Sequence, residues 1–165
     1  MKEISKKVVI AGRTQVGKSS ILNRLALDEF NEQPNDSIGV RIERLENEVS
    51  GKLINMVLWD LAGDSTNPDT PNSYFLGANI IVYVVDLNSP ETYSVLTADL
   101  KSLSERAGDL PVVTVANKSD LLTPSQIENA LKSFSEQPDI ICSSKTGAGL
   151  DKLHEKLLSI SLSYD

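Results

Sequence analysis

Short apolar runs alternate along the chain with segments in which apolar residues recur every three to four positions. The runs predict strands, and the recurring positions predict amphipathic helices packed on a sheet. We expect strands at about residues 6–11, 53–58, 80–85, 112–116 and 139–142. We expect helices that begin at Lys18, at Pro90 after Ser89, after Thr123, and near Leu150. The third helix should start with a capping box, because Gln126 follows Thr123 by three residues.

A hairpin precedes most of this alternation. Val40 and Ile42 alternate with polar residues, and the apolar positions then shift to Leu45 and Val49, which predicts a β-bulge. Ser50-Gly51 predicts the turn into a strand that is buried on both faces. One hairpin followed by alternating strands and helices indicates an α/β fold: a six-stranded, mostly parallel sheet with one antiparallel edge strand and about five helices. A chain of 165 residues should form a single domain over residues 1–165.

A glycine-rich loop lies between the first predicted strand and the first predicted helix, with the sequence Gly12-Arg13-Thr14-Gln15-Val16-Gly17-Lys18-Ser19. Such a loop binds phosphate, because its backbone N–H groups and the N-terminal end of the following helix point at the anion. Gly12 and Gly17 permit the tight turn. Lys18 is predicted to bind the outer phosphates, and the Ser19 hydroxyl to bind Mg²⁺ held against them.

Two further polar motifs directly follow predicted strands. Asp60-Leu61-Ala62-Gly63 places a carboxylate where it can hold Mg²⁺ through water, and the Gly63 N–H where it can reach a terminal phosphate. In Asn117-Lys118-Ser119-Asp120, an ionised Asp120 can accept hydrogen bonds from N1 and the 2-amino group of guanine, and adenine lacks that amino group. Because the carboxyl ends of parallel strands lie at one edge of a sheet, these loops should form one site.

Charge and cysteine content exclude several classes of function. The net charge of −7 disfavours binding to nucleic acid or to an anionic membrane, since both require a basic surface. Cys142 is the single cysteine and cannot form an intrachain disulfide, so we expect a cytoplasmic protein. No apolar run could span a bilayer, and neither end has a signal for lipid attachment. We expect no intrinsic membrane anchor, while recruitment to a membrane by a partner stays open.

These motifs, followed by Ser143-Ser144-Lys145 in the same order and spacing, resemble the small Ras-like GTPases over almost the whole chain. Ser37-Ile38-Gly39-Val40 resembles the first switch of Rab-type members, and Trp59-Asp60 before Ala62-Gly63 is similar to Rab-type and Roc-type sequences. The resemblance implies a three-layer G domain of the P-loop NTPase type. It also implies GTP, GDP and Mg²⁺ as ligands, and a role as a molecular switch in signal transduction.

The resemblance also assigns residues to roles. Ser37 takes the position of a second Mg²⁺-binding hydroxyl, and Phe30 that of an aromatic packed against the base, although Phe30 is also compatible with a core aromatic. Ser144 takes the position of a backbone N–H that meets the guanine oxygen. The implied nucleotide site consists of Thr14, Gln15, Val16, Gly17, Lys18, Ser19, Ser20, Phe30, Ser37, Gly63, Asn117, Lys118, Asp120, Ser143, Ser144 and Lys145. The implied metal ligands are Ser19, Ser37 and Asp60, and the residues implied in hydrolysis are Lys18, Ser37, Gly63 and Asp64.

Asp64 is the main departure from the family pattern, because most members have a glutamine there that orients the attacking water. An aspartate cannot donate a hydrogen bond to the phosphoryl group, and its charge opposes the charge that develops there. Asp64 could still accept a proton from the water. We therefore expect slow hydrolysis that an activator protein accelerates, and keep as an alternative a GTP-binding interaction module without hydrolysis. An ATP-using enzyme is disfavoured by Asp120.

Several other residues bear on regulation. Thr14 occupies a position that is commonly glycine, where a side chain crowds the entry of an activator's arginine. Gln15 matches a residue that coordinates a monovalent cation in another class of GTPase, which remains an alternative. Arg13 is interpreted as an exposed loop residue and His154 as a solvated surface residue. Effector, exchange factor and activator should bind through residues 30–40 and 61–74, on a monomer or a nucleotide-dependent dimer.

Overall fold

The computed structural model describes residues 1–30 and 39–163, which contain six strands and four α-helices. The strands are β1 (Lys2–Gly12), β2 (Val40–Val49), β3 (Lys52–Leu61), β4 (Ile80–Asp86), β5 (Val112–Asn117) and β6 (Ile140–Ile141). The α-helices are α1 (Lys18–Leu27), α2 (Leu96–Ala107), α3 (Pro124–Leu131) and α4 (Leu150–Ser163). Three short 3-10 helices cover Asn72–Phe75, Pro90–Thr92 and Ser119–Leu121.

The strands form one sheet in the order β2-β3-β1-β4-β5-β6. All neighbouring pairs are parallel except β2 with β3, which form the hairpin around Ser50-Gly51. The prediction of a mostly parallel sheet with one antiparallel edge strand is therefore confirmed. In this order, β1, β3, β4 and β5 end at the same edge, which brings the loops that follow them together.

Side chains on the two faces of the sheet enter two separate apolar clusters. In β4, Ile80, Val82 and Val84 pack with residues of α1 and α4, while Ile81, Tyr83 and Val85 pack with residues of α2 and α3. Both sets are essentially inaccessible to solvent. A strand that is covered on both faces must be apolar at every position, which is why β4 appears in the sequence as a continuous apolar run.

The predicted bulge in β2 is wrong. Pairing runs without interruption from Val40 opposite Leu61 to Val49 opposite Lys52. The apolar positions shift along the strand because they change face: Val40 packs against one cluster, whereas Leu45 and Val49 pack against the other. In a half-buried strand at the edge of the sheet, the apolar positions can pass from one face to the other along the strand without an inserted residue.

The second predicted helix begins later than expected. Pro90–Thr92 forms a 3-10 helix, and α2 starts only at Leu96. The Thr92 hydroxyl donates to the Ser89 carbonyl (2.8 Å) and accepts from the Asp86 N–H (2.9 Å), which holds this turn against the end of β4. The Ser89 side chain makes no capping hydrogen bond.

Two local predictions about the remaining helices have opposite outcomes. The capping box of α3 is confirmed, since the Gln126 N–H donates to the Thr123 hydroxyl and the Gln126 side chain accepts from the Thr123 N–H. His154 is not a solvated residue: it is half-buried, and its Nε2 lies 2.9 Å from Oδ1 of Asn47 in β2. Among the helices of the described ranges, none is both long and apolar enough to cross a bilayer.

Candidate functional site

The loop between β1 and α1 is packed so closely that only glycine fits at both of its ends. At Gly12 (φ +152°), a Cβ would lie 2.5 Å from the Val84 carbonyl oxygen. At Gly17 (φ +104°), a Cβ would lie 2.3 Å from Nδ2 of Asn117. Val16 is fully buried and anchors the loop in the core, while Thr14 and Gln15 are exposed. The glycines thus allow the loop backbone to curve against β4 and β5.

The Lys18 ammonium links this loop to the loop after β3. Its Nζ donates to the carbonyl oxygens of Gly12 (3.2 Å), Arg13 (2.8 Å) and Gly63 (2.5 Å). Lys18 is only 7% exposed, and burial lowers its pKa to about 8, although the carboxylates of Asp60 and Asp64 partly oppose this shift. A buried cation beside a row of backbone groups is suited to binding an anion.

Ser19 and Asp60 meet at the first turn of α1. The Ser19 hydroxyl donates to Asp60 Oδ2 at 2.5 Å. Asp60 is fully buried, and its other oxygen, Oδ1, has no hydrogen-bond partner among residues 1–30 and 39–163. Burial raises the pKa of Asp60, while the Ser19 hydrogen bond and the charges of Lys18 and Arg41 act in the opposite direction. A buried carboxylate oxygen without a partner, next to a hydroxyl, fits the oxygen ligands that Mg²⁺ requires. Ser37, the third expected ligand, lies outside the described residues.

The side chain of Asn117, at the end of β5, connects the loop between β1 and α1, called the phosphate loop below, to the loop after β6. Its Nδ2 donates to the Val16 carbonyl (3.1 Å) and to the Ser144 hydroxyl (3.2 Å). Its Oδ1 accepts from the Ser144 N–H (3.0 Å). The Asn117 side chain is fully buried, so all of its amide hydrogen bonds are made inside the protein.

Lys118 and Asp120 extend this connection on the exposed side. Lys118 has φ +68°, and its Nζ lies 2.7 Å from the Gln15 carbonyl oxygen and 2.9 Å from Asp86 Oδ2. Asp120 is exposed and accepts a hydrogen bond from the Ser143 hydroxyl at 2.7 Å through Oδ1. The structure therefore brings Lys118 and Asp120 to the same edge of the sheet as the loop between β1 and α1.

Two of the remaining predicted site residues lie on α1 or just beyond it. Ser20 is buried in the first turn of the helix, and Phe30 is half-buried beyond its C-terminal end. Gly63 follows β3 with φ +69° and has open space around its Cα. Within residues 1–30 and 39–163, no contact of these three positions indicates which part of a ligand they would meet.

Arg13 is not the exposed residue that we predicted. Its Nε and Nη2 donate to the two carboxylate oxygens of Asp99 in α2 at 3.0 and 2.9 Å. Asp99 is buried and also accepts from the Tyr83 hydroxyl at 2.9 Å. The hydrogen bond to Asp99 raises the pKa of Arg13, and burial raises that of Tyr83. This bidentate ion pair holds the phosphate loop against α2.

Asp64 is engaged in the structure of its own loop. Its Oδ1 accepts from both the N–H (2.9 Å) and the hydroxyl (2.5 Å) of Thr66. The next residue, Ser65, is buried and pairs with Gly12 in the phosphate loop: the Gly12 N–H donates to the Ser65 hydroxyl (2.6 Å), which donates to the Gly12 carbonyl (2.9 Å). Asp64 thus begins a turn that is attached to the phosphate loop.

Two arginines that hydrogen-bond to the backbone of the site loops were not predicted from the sequence. Arg24 of α1 binds the carbonyl oxygens of Ser144 and Lys145. Arg106 of α2 binds the loop after Asp64 through the carbonyl oxygens of Ser65 (3.1 Å), Asn67 (3.3 Å) and Thr70 and through the side chain of Asn72 (2.9 Å). Neither arginine belongs to a motif, so the sequence contained no signal for these contacts.

Residues 7–161 match the family model described as the Ras family. The matched region begins within β1 and ends within α4, and it therefore includes every strand-end loop of the candidate site.

Proposed function

The chain belongs to the Ras family, and we propose that it is a molecular switch that binds GTP and GDP and hydrolyses GTP slowly. Members of this family are GTP-binding proteins with GTPase activity. The observation that carries the proposal for this chain is the position of Asn117. Its buried amide joins the loop suited to phosphate to the loop that contains Ser144, so that a single nucleotide can contact both.

Guanine selectivity is assigned to Asp120. Its carboxylate is exposed at the edge of the site and oriented by the Ser143 hydroxyl. In this position it can accept hydrogen bonds from N1 and the 2-amino group of guanine. Adenine would supply neither of these two donors, which costs about 1–3 kcal/mol for each lost hydrogen bond when the bound base shields the carboxylate from water.

In the hydrolysis that we propose, water attacks the γ-phosphate and GDP leaves. Lys18 supplies positive charge to the phosphate oxygens, and backbone N–H groups of the phosphate loop and of Gly63 supply hydrogen bonds. Ser19 and Asp60 would hold Mg²⁺, which neutralises charge on the phosphate oxygens when bound. Asp64 accepts two hydrogen bonds from Thr66 and has no N–H to donate to the phosphoryl group, so the intrinsic rate should be slow and an activator protein should supply the missing group.

The first experiment identifies the nucleotide released from freshly purified protein and then follows protein reloaded with GTP and Mg²⁺ over hours. We expect guanine nucleotide and slow conversion of GTP to GDP. Lys18→Ala should abolish tight binding, whereas Lys132→Ala, at an exposed position after α3, should leave it unchanged. Nanomolar GTP affinity in Lys18→Ala, or adenine nucleotide in the purified protein, would refute the proposed site.

The second candidate function is a GTP-binding interaction module without hydrolysis. The contacts of Asp64 with Thr66 favour it, because they engage the carboxylate at the position where most family members have a glutamine. GTP that remains intact over many hours, also in the presence of candidate activators, would support this function over the first.

For either function we propose that effectors and regulators bind through residues 30–40 and 61–74, which match the switch segments of the family in sequence. A cytoplasmic location, with recruitment to a membrane by a partner, is part of the same proposal. Binding of a partner that depends on whether GTP or GDP is loaded is the observation that would test it.

A further inference from the structure

Arg24, near the C-terminal end of α1, holds two consecutive carbonyl groups of the loop after β6. Its Nε donates to the Ser144 carbonyl oxygen at 2.6 Å, and its Nη2 donates to that of Lys145 at 2.5 Å. The Arg24 side chain is only 19% exposed. Because the guanidinium is planar and donates through two of its nitrogens, it fixes the direction of both carbonyls.

The direction of these carbonyls decides the direction of the next N–H. In a trans peptide, C=O and N–H point to opposite sides, so a Ser144 carbonyl turned toward α1 turns the Lys145 N–H away from α1. The preceding N–H, that of Ser144, has the position that the family resemblance assigned to contact with the guanine oxygen, but in this structure it donates to Oδ1 of Asn117. Arg24 also holds the Lys145 carbonyl, but the N–H of that peptide, on Thr146, donates to the Ser143 hydroxyl at 3.1 Å. The peptide between Ser144 and Lys145 is therefore the one whose N–H Arg24 turns away from α1.

The loop after β6 is also hydrogen-bonded to Asp120, the residue proposed to bind the guanine base. The Ser143 hydroxyl donates to Asp120 Oδ1 at 2.7 Å, which places the loop beside the carboxylate that would pair with N1 and the 2-amino group of guanine. The next group around the edge of a guanine is its 6-oxo oxygen, which accepts a hydrogen bond. Adenine has an amino group there, which donates.

We propose that Arg24 is a positioning residue for guanine recognition. By holding the carbonyls of Ser144 and Lys145, it directs the Lys145 N–H at the 6-oxo group. This inference rests on the proposed binding of guanine nucleotides. Arg24 itself does not touch the base. Its ion pair with Asp28 (3.6 Å) has a minor role, because the Asp28 side chain is 94% exposed.

The test compares three diphosphates as competitors of a fluorescent GDP analogue on the full chain. GDP has the 6-oxo group, the N1–H and the 2-amino group; IDP keeps the 6-oxo group and the N1–H; 2-aminopurine riboside diphosphate keeps the 2-amino group alone. Arg24→Ala should weaken GDP and IDP by about tenfold, as expected for one misdirected hydrogen bond, and 2-aminopurine riboside diphosphate by less than about threefold. Arg24→Lys should behave like Arg24→Ala, because a lysine keeps the charge but not the paired donors.

Asp28→Ala is the matched control, since it removes the ion-pair partner of Arg24 and leaves both carbonyl contacts; its affinities should equal those of the unaltered protein. An equal loss for all three ligands in both Arg24 variants, or unchanged GDP affinity in Arg24→Lys, overturns the inference. If the unaltered protein itself fails to bind GDP, the proposed function fails instead, so the two failures are distinguishable.

Discussion

At Lys18, burial and the charges of neighbouring carboxylates act on the pKa in opposite directions. Burial holds its pKa at about 8, below the ordinary 10.5 of an unfolded chain. Between these values the unfolded chain binds more protons than the folded one, so the free energy of unfolding should rise with pH in this window. In protein freed of nucleotide, this contribution should amount to roughly 2 kcal/mol between pH 7 and pH 10.

The measurement is urea denaturation at a series of pH values, for the unaltered protein and for Lys18→Met. Other titrating groups affect both proteins, whereas only the unaltered protein has the Lys18 ammonium. As the pH rises from 7 to 10, the free energy of unfolding of the unaltered protein should therefore increase relative to that of Lys18→Met. A difference that stays constant from pH 7 to pH 10 would show that the ammonium is not desolvated in the folded state.

A nearly isosteric substitution of Asp64 distinguishes between two chemical roles for its carboxylate. Asp64→Asn keeps an oxygen that accepts from Thr66 and removes the negative charge near the γ-phosphate position. If the charge opposes hydrolysis, Asp64→Asn should raise the single-turnover rate several-fold, by about 1 kcal/mol of barrier height. If Asp64 accepts the proton of the attacking water, the rate should fall instead. Asp69→Asn is the control, because it removes an exposed charge from the same loop.

Among the elements, α2 contacts both loops that surround the expected phosphate position. Asp99 binds Arg13 of the phosphate loop, and Arg106, seven residues further along the helix, binds the loop after Asp64. The Arg106 guanidinium also lies over the Phe75 ring, 5.4 Å from its centroid. A shift of either loop must therefore break contacts with α2 or move the helix.

Arg106→Ala should release the loop after Asp64 without unfolding the domain. Three backbone carbonyls would each lose a hydrogen bond from the guanidinium, while the apolar contacts of α2 through Leu96 and Leu103 would remain. We expect amide hydrogen exchange in residues 64–76 to accelerate by about tenfold or more, with little change in β1 and β4. Lys101→Ala, at an exposed position of α2, is the control. Equal acceleration in the strands would indicate global destabilisation rather than a local release.

For the whole molecule, Asn117 is a connection inside the fold as well as part of the site. Asn117→Ala would leave the Val16 carbonyl and the Ser144 N–H without their partner in the interior. We expect it to lower the free energy of unfolding by roughly 2–4 kcal/mol without nucleotide. Asp120→Ala, at an exposed position of the same motif, should cost less than about 1 kcal/mol. Similar stability of both variants in urea denaturation would contradict the structural role of Asn117.

The order of elements and the motifs of the site were predictable from the sequence, since both depend on near neighbours in the chain. Continuous apolar runs such as Ile80–Val85 indicated strands covered on both faces, and Ser50-Gly51 indicated the hairpin. Glycine at positions 12 and 17 indicated a tight loop before a helix, and Thr123 with Gln126 a helix start. The start of α2 was placed too early, because the Thr92 contacts that hold the preceding turn depend on the end of β4.

Only the tertiary structure decided how the site is held together, because the responsible contacts join residues far apart in the chain. Arg13 and Asp99 are 86 residues apart, Asn117 and Val16 101, and Arg24 and Ser144 120. No local pattern distinguishes Arg13, Asp99 and Arg24 from ordinary surface residues, and the motif that contains Asn117 does not indicate that its amide contacts Val16. Their partners become neighbours when parallel strands bring their carboxyl ends to one edge of the sheet, and burial there makes each unpaired polar group costly. The sequence by itself therefore determined which chemistry the site contains, and the fold determined which residues orient it.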